Sequence, residues 1–292
     1  MPESAVFLIP YLISGLGIGA VYALSGVGLV VLYRASGVLN FAFGALGAIS
    51  AYCAWSLLEM DYPQIVVWPL AVLASTLLSL LYGAVLAPRL AHRDRTTRSI
   101  ATLGFALVVL GFTEWYWGEA ARRLSLPTDV ESIDFGDIRL TYTRILSLVL
   151  AVLMMLAIGI LLRKTRLGLY MRALANNRQL SAVLGISVIR VDTAAWLISG
   201  AFAGVCGLLL ANIVRLQATT LTFMVIPAFA AAIVGRLSSL PITVAAGVVI
   251  GIAEALAITI PGFAIYRSVT PFVLALLAMM VFTAIYPASV ES

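Results

Sequence analysis

The sequence predicts an all-α fold, a polytopic transmembrane helical bundle of eight or nine spans with one candidate broken helix. Three observations predict it. Hydrophobic residues make up 62% of the 292-residue chain and charged residues 11%, against about a quarter charged in an average soluble domain. Mean hydropathy is +1.08. The apolar residues come in runs close to the roughly 20 residues that cross a hydrocarbon layer, and the basic residues gather between those runs. A soluble fold of this size has nowhere to hide so much apolar surface, so the bilayer is the solvent. A net charge of +5 then reads as loops kept on the cytoplasmic side and not as a nucleic-acid surface.

The first span is predicted over Phe7–Tyr33, with Gly15, Gly19 and Ala23 placing small side chains on one face. The stretch lacks a basic leader and a cleavage site, so it is expected to be retained. Arg34 ends it. Ala35 to Gly47 then read A-S-G-V-L-N-F-A-F-G-A-L-G. Glycine weakens a helix, and an asparagine in hydrocarbon needs a partner. Two readings stay open here: a helix broken beside a transport path, or a tight packing site with one satisfied Asn. The apolar run continues to Leu58, and a further span covers Gln64–Ala87.

Residues 88–98, P-R-L-A-H-R-D-R-T-T-R, carry a local charge of +3 and mark the cytoplasm. His92, the chain's single histidine, lies in this loop and reads as solvated. Ser99–Trp117 is the next span, closed by the interfacial cluster E-W-Y-W. Residues 118–142 carry a net −2, which fits the outer side, and could form either short strands or a small helix. Thr143–Leu162 returns the chain to the cytoplasm.

A span over Thr193–Ile213 contains the pair Gly200 and Gly204. The apolar run 222–235 has only 14 residues, too few for a straight crossing. It either extends at its ends or forms a half-helix. Spans over Ile242–Ile260 and Ser268–Tyr286 follow a turn at 235–241. The charges put the N-terminus outside. Nine spans, favoured because they keep Arg236 inside, leave the C-terminus inside, and eight leave it outside. Residues 7–58 and 193–260 share Gly-rich spans, and with nine spans the first and sixth cross in opposite senses, which makes an inverted repeat geometrically possible. Cys53 and Cys206 sit in apolar segments as packing residues.

Enzyme chemistry is hard to place in this chain. Its one lysine, Lys164, precedes Thr165 but follows I-L-L-R, without the glycines of a phosphate-binding loop. The sequence holds no H-E-x-x-H, no G-x-S-x-G and no metal-spaced Cys or His pair. No catalytic residue and no metal ligand is expected. Glu114 lies near the outer interface. Glu254 lies deeper in its span, where an ionisable group needs a partner or a water-filled space. It reads either as a structural hydrogen-bonding group or as part of a path.

The longest polar stretch runs from Arg163 to Asp192, with Arg163, Lys164, Arg166, Arg172, Arg178 and Arg190 and no acid before Asp192. Residues 172–186 within it read as one short amphipathic helix ending at Gly185.

Three segments resemble the permease subunit of the branched-chain amino acid ABC importer family, of the LivH type. Residues 24–44, L-S-G-V-G-L-V-V-L-Y-R-A-S-G-V-L-N-F-A-F-G, are similar to its signature segment. Residues 166–186, R-L-G-L-Y-M-R-A-L-A-N-N-R-Q-L-S-A-V-L-G-I, resemble its cytoplasmic coupling loop. Residues 233–256, containing I-V-G-R-L-S-S-L-P and G-I-A-E-A-L, resemble its Gly-rich turn and following helix. The chain departs from the family at Phe43, where relatives commonly carry His, at Ala45 in place of an acid, and at Gly235-Arg236 in place of Gly-Gly. The first two changes make the central region more apolar.

The resemblance implies a single transmembrane permease domain over residues 1–292 in an inner (plasma) membrane. It would pair with a homologous second permease or a copy of itself, with two cytoplasmic ATPase subunits that bind the ATP, and with an external substrate-binding protein. The chain itself then needs no cofactor. Expected cargo is branched-chain amino acids or related small polar solutes such as other amino acids, amides or urea. The residues marked for the substrate path are Asn40, Phe41, Phe43, Gly44 and Glu254. Those marked for coupling to the ATPases are Arg172, Ala173, Leu174, Arg178, Leu180, Leu184 and Gly185. The competing reading is a stand-alone secondary transporter or facilitator.

Overall fold

The computed structural model of the chain describes residues 3–124, 132–135, 138–223, 225–260, 269–270, 272–274, 276–277 and 280. The span expected over Ser268–Tyr286 therefore falls largely outside the described residues. Among the described residues, five helices are long and apolar enough to cross a membrane. Among the described residues the fold is helical, as the composition predicts, apart from one antiparallel hairpin that pairs Ser132–Phe135 with Ile138–Thr141. That hairpin lies in the 118–142 connection, where strands and a helix were the two alternatives.

The first helix, α1, runs Glu3–Ser36 and outlasts the predicted span at both ends. Gly37, at φ +70°, turns the chain out of it. After a non-helical stretch come α2 (Phe43–Glu59) and α3 (Gln64–Leu81), with Pro63 preceding α3 as its N-cap. A π-helical turn at Tyr82–Leu86 joins α3 to the short α4 (Ala87–Arg89). Asp94 caps α5 (Arg95–Trp117): it accepts the Thr97 amide at 3.0 Å and the Thr97 hydroxyl at 2.6 Å. These bonds, the hydroxyl foremost, hold its carboxyl below the usual carboxylate range.

Next come α6 (Tyr142–Lys164), α7 (Arg166–Asn176), α8 (Arg178–Val183) and α9 (Val188–Ile213). Then come α10 (Ala218–Phe223), α11 (Val225–Val234) and α12 (Leu240–Ala257).

Small residues set the helix crossings. α1 lies antiparallel along α12. A Cβ added at Gly15 would meet the Ile252 Cα at 2.7 Å, and one at Gly19 the Val248 Cα at 2.8 Å. α9 lies antiparallel along α3 in the same manner, with Gly200 against Ser79 and Gly204 against Ser75. α1 and α9 are antiparallel to each other: Ser25 meets Cys206, and Gly28 faces Phe202. α2 packs on α9 as α11 packs on α1. Exchanging α1, α2 and α3 for α9, α11 and α12 thus preserves these contacts, which is the packing an inverted repeat gives.

Because α9 and α12 are both antiparallel to α1, they are parallel to each other. Residues 214–239 must therefore carry the chain back across the layer. The ten residues of α11 cover only about 15 Å, and α10 with the flanking peptide supplies the rest.

Candidate functional site

The site is built around the break after α1. Non-helical backbone is tolerated at membrane depth only where its polar groups find partners. Here hydroxyls on neighbouring helices supply them. The Gly37 amide donates to Tyr33 O at 2.7 Å. The Val38 amide donates to Ser36 Oγ at 3.2 Å and the Leu39 amide to Ser99 Oγ at 3.1 Å. Thr102 Oγ1 faces Leu39 O at 2.9 Å and accepts the Phe41 amide at 3.0 Å. Residues 39–41 therefore lie along the first turns of α5 much as a strand lies beside its neighbour.

Asn40 is 1% exposed. Its Oδ1 accepts the Ala42 amide at 3.1 Å, its carbonyl accepts the Phe43 amide at 3.3 Å, and its Nδ2 donates to Ser199 Oγ at 3.4 Å. The two open readings of this segment converge: the helix is broken, and the asparagine is satisfied because it organises the start of α2. Phe41 stacks on Phe229 with ring centroids 5.0 Å apart. It lines an apolar cavity of about 540 Å³ together with Leu39, Leu103 and Phe229.

Phe43 is buried against Gly28. A Cβ on Gly44 would lie 2.1 Å from Thr222 O, so α2 and α10 touch backbone to backbone there. The gap beside Phe43 and Gly44 holds about 10 Å³, room for one water at most. The helices are closely packed at that level. Glu254 belongs to a different place. It is 6% exposed on α12, and the Tyr22 hydroxyl of α1 donates to its Oε2 at 2.8 Å. Asn40, Phe41, Phe43 and Gly44 are brought together, and Glu254 lines neither space.

The cytoplasmic segment differs from expectation. Residues 172–186 do not form one helix. The chain breaks at Asn177, whose Oδ1 accepts the Leu180 amide at 2.9 Å and caps α8. Thr165 caps α7 in the same way, accepting the Gly168 amide at 3.1 Å. Gly185, at φ +85°, ends α8: its amide donates to Ala182 O at 3.0 Å, and the Ile186 amide to Ser181 O at 3.1 Å. Paired bonds of that kind close a helix on a left-handed residue, which glycine adopts without strain.

Two of the outward-facing expectations are corrected. Leu174 is 4% exposed and packs inward with Met171. Arg178 points its charge into the protein: it donates to Ala35 O at 2.9 Å and to Asp192 Oδ1 at 3.2 Å, and also pairs with Oδ2. Arg172 is exposed, with its Nε 3.4 Å from Gly168 O, and Ala173 is half-buried. The outward apolar surface is made by Leu180, Val183, Leu184 and Ile189, of which Val183 is 83% exposed and Leu184 73%.

Sequence reasoning missed Val183 and Ile189, and also Ser99, Thr102, Ser199 and Phe229. A signal existed for two of them, because Ser99 and Thr102 are three apart and so share the face of α5 that meets the break. The backbone at Arg236 shows why a glycine suits that position. Arg236 and Leu237 have φ of +53° and +52°, a region where glycine is at ease and other residues are strained.

Comparison with known proteins identifies the family. The chain is 27% identical to the high-affinity branched-chain amino acid transport system permease protein LivH of Salmonella typhimurium, covering 96% of each chain. It is 26% identical to the corresponding protein BraD of Pseudomonas aeruginosa, over 96% of this chain and 95% of that one. A probable branched-chain amino acid permease LivH of Methanocaldococcus jannaschii is 29% identical over 75% of this chain and 71% of its own. The family model described as the permease component of the branched-chain amino acid transport system matches residues 11–285, so this multi-pass membrane chain belongs to that transport permease family.

Proposed function

We propose that this permease serves a binding-protein-dependent ABC importer and that the face made by α7 and α8 receives a cytoplasmic ATPase subunit. The observation that carries this reading is the construction of α8. Its outer side offers Leu180, Val183 and Leu184 to a partner. Its inner side is fastened by Arg178 to Ala35, at the end of α1. Covering Val183 and Leu184 supplies about 1.5–3 kcal/mol for each side chain. A push on α8 then reaches the break after α1 through one hydrogen bond.

The remaining parts follow from that role. ATP is bound by the partner subunits. A second permease, homologous or identical, completes the path. A soluble binding protein delivers solute at the outer face, on the side of residues 118–142, with the N-terminus on that same side. Branched-chain amino acids are the first cargo to examine, since the relatives carry that name. Other amino acids, amides and urea complete the range. Asn40, Phe41, Phe43 and Gly44 stand along the path in this reading, while Glu254 steadies α12 against α1.

The test is co-purification of the wild-type chain and of a Val183→Asp, Leu184→Asp double variant from membranes holding the whole transport system. The wild type should retain ATPase subunits, and the variant should lose them at least about tenfold while remaining in the membrane. Equal retention by both would sink the docking assignment. Solute uptake into vesicles by the chain alone would favour a facilitator.

A further inference from the structure

We propose that Thr102 is a positioning residue for transport: its hydroxyl latches peptide 39–41 against α5, and this peptide carries movement from the cytoplasmic helices to the substrate path. The inference rests on the docking reading above and adds the route by which docking is felt inside the membrane.

The observation is a proton with two acceptors. Thr102 is fully buried. Its Oγ1 lies 2.9 Å from Leu39 O on the break and 2.7 Å from Ser99 O on its own helix. A threonine hydroxyl has one proton and can donate to only one of them at a time. The same oxygen accepts the Phe41 amide at 3.0 Å in either case. Ser99 differs: its proton goes to Arg95 O at 2.9 Å, which leaves its oxygen as a fixed acceptor for the Leu39 amide. Ser99 is thus a pivot and Thr102 a switch. Turned toward Leu39, the Thr102 hydroxyl closes the peptide onto α5. Turned toward Ser99, it returns to its own helix and frees the Leu39 carbonyl, while Thr102 itself still donates one bond.

The peptide is placed to use that freedom. Arg178 holds Ala35 O, four residues before Leu39, a reach of at most about 14 Å of chain. Beyond Leu39, Phe41 carries the ring that meets Phe229 in the 540 Å³ cavity. Asn40, between them, ties the same peptide to α9 through Ser199. Helix on either side of the break moves as a rod. Between α1 and α2, residues 38–42 lack the i→i−4 ladder that would stiffen them. A displacement of Ala35 is therefore absorbed there, and the hydroxyl decides how far it travels.

The experiment uses the full transport complex in proteoliposomes, with Thr102→Val and Thr102→Ser compared with wild type. Solute moved per ATP hydrolysed should fall about tenfold in Thr102→Val, which loses the donor and the acceptor. Assembly with the ATPases should be unchanged. Thr102→Ser keeps the hydroxyl and should return the ratio to within about twofold. A wild-type ratio in Thr102→Val would overturn the proposal. So would a Thr102→Ser protein as poor as Thr102→Val, because the methyl and not the hydroxyl would then matter. Hydrogen exchange on the permease alone gives a second reading that needs no ATPase. Exchange across residues 37–42 should rise about tenfold in Thr102→Val and in Ser99→Ala, and return to the wild-type level in Thr102→Ser. Unchanged exchange in both would refute the latch. A wild-type permease that captures no ATPase would refute docking and the route from it, and the exchange result would stand apart.

Discussion

Replacing Arg178 by Ala tests the joint between the cytoplasmic helices and the membrane. The Arg178 side chain is 34% exposed and that of Asp192 15%. Truncation removes both contacts to the carboxylate and the 2.9 Å bond to Ala35 O. Breaking a fully buried pair costs about 3–5 kcal/mol and an exposed one about 0–1 kcal/mol. With the carboxylate well covered and the guanidinium one-third open, the expected cost is about 2–3 kcal/mol. Arg172→Ala is the internal control. That side chain is exposed and reaches only a carbonyl of its own helix at 3.4 Å, so its loss should fall within about 0.5 kcal/mol.

The assay is thermal unfolding of the purified permease for Arg178→Ala, Asp192→Ala and the pair, read as a double-mutant cycle. The coupling between the two sites should be about 1–2 kcal/mol. Substrate-stimulated ATP hydrolysis by the assembled complex should fall with Arg178→Ala and remain with Arg172→Ala. Equal melting of the Arg178 and Arg172 variants, or additive losses at 178 and 192, would refute the reasoning.

Two further outcomes follow from contacts inside the bundle. Gly44→Ala places a Cβ 2.1 Å from Thr222 O and 2.8 Å from its carbonyl carbon. Backbone on both sides must move apart, so a loss of about 1–3 kcal/mol is expected, checked by unfolding. A wild-type melting curve would mean that α2 and α10 separate freely. Tyr22→Phe deletes the 2.8 Å bond to Glu254 and should cost about 1.5–3 kcal/mol with transport selectivity unaltered. A changed cargo preference would return Glu254 to the path.

The helical membrane fold was legible because apolar runs and basic connections are one-dimensional signals, and the glycines at 15/19 and 200/204 marked close helix contacts. What escaped depends on residues far apart in sequence. Arg178 and Asp192 are 14 apart, and no periodicity announces their pairing. Arg178 and Ala35 are 143 apart. The stop at Asn177 was hidden because A-N-N-R-Q sits inside a helical pattern, and only the side-chain bond to Leu180 turns an interior asparagine into a cap. Leu174 fits the amphipathic pattern of one long helix, but once the helix breaks, its face turns inward. The polar break was visible as composition. Its partners on α5 were not sought there, because Ser99 and Thr102 read as the ordinary start of a span.

The π-helical turn at Tyr82–Leu86 carries a consequence for how this chain tolerates editing. A wider turn holds one residue more than the α-helix around it, so everything beyond is rotated by about 100° relative to a straight continuation. The turn opens at Tyr82, which stands between Phe105 and Trp196 with ring centroids at 4.9 and 4.6 Å, and Gly83 lies against Trp196. The spare residue makes this the place in the span where loss of a single amino acid leaves a continuous helix. Such a deletion keeps the hydrogen-bond ladder and swings Arg89 and the basic loop after it to another side of the rod. The segment is thus a register marker between the span and the cytoplasmic loop, and its length ties the direction of that loop to the packing around Trp196.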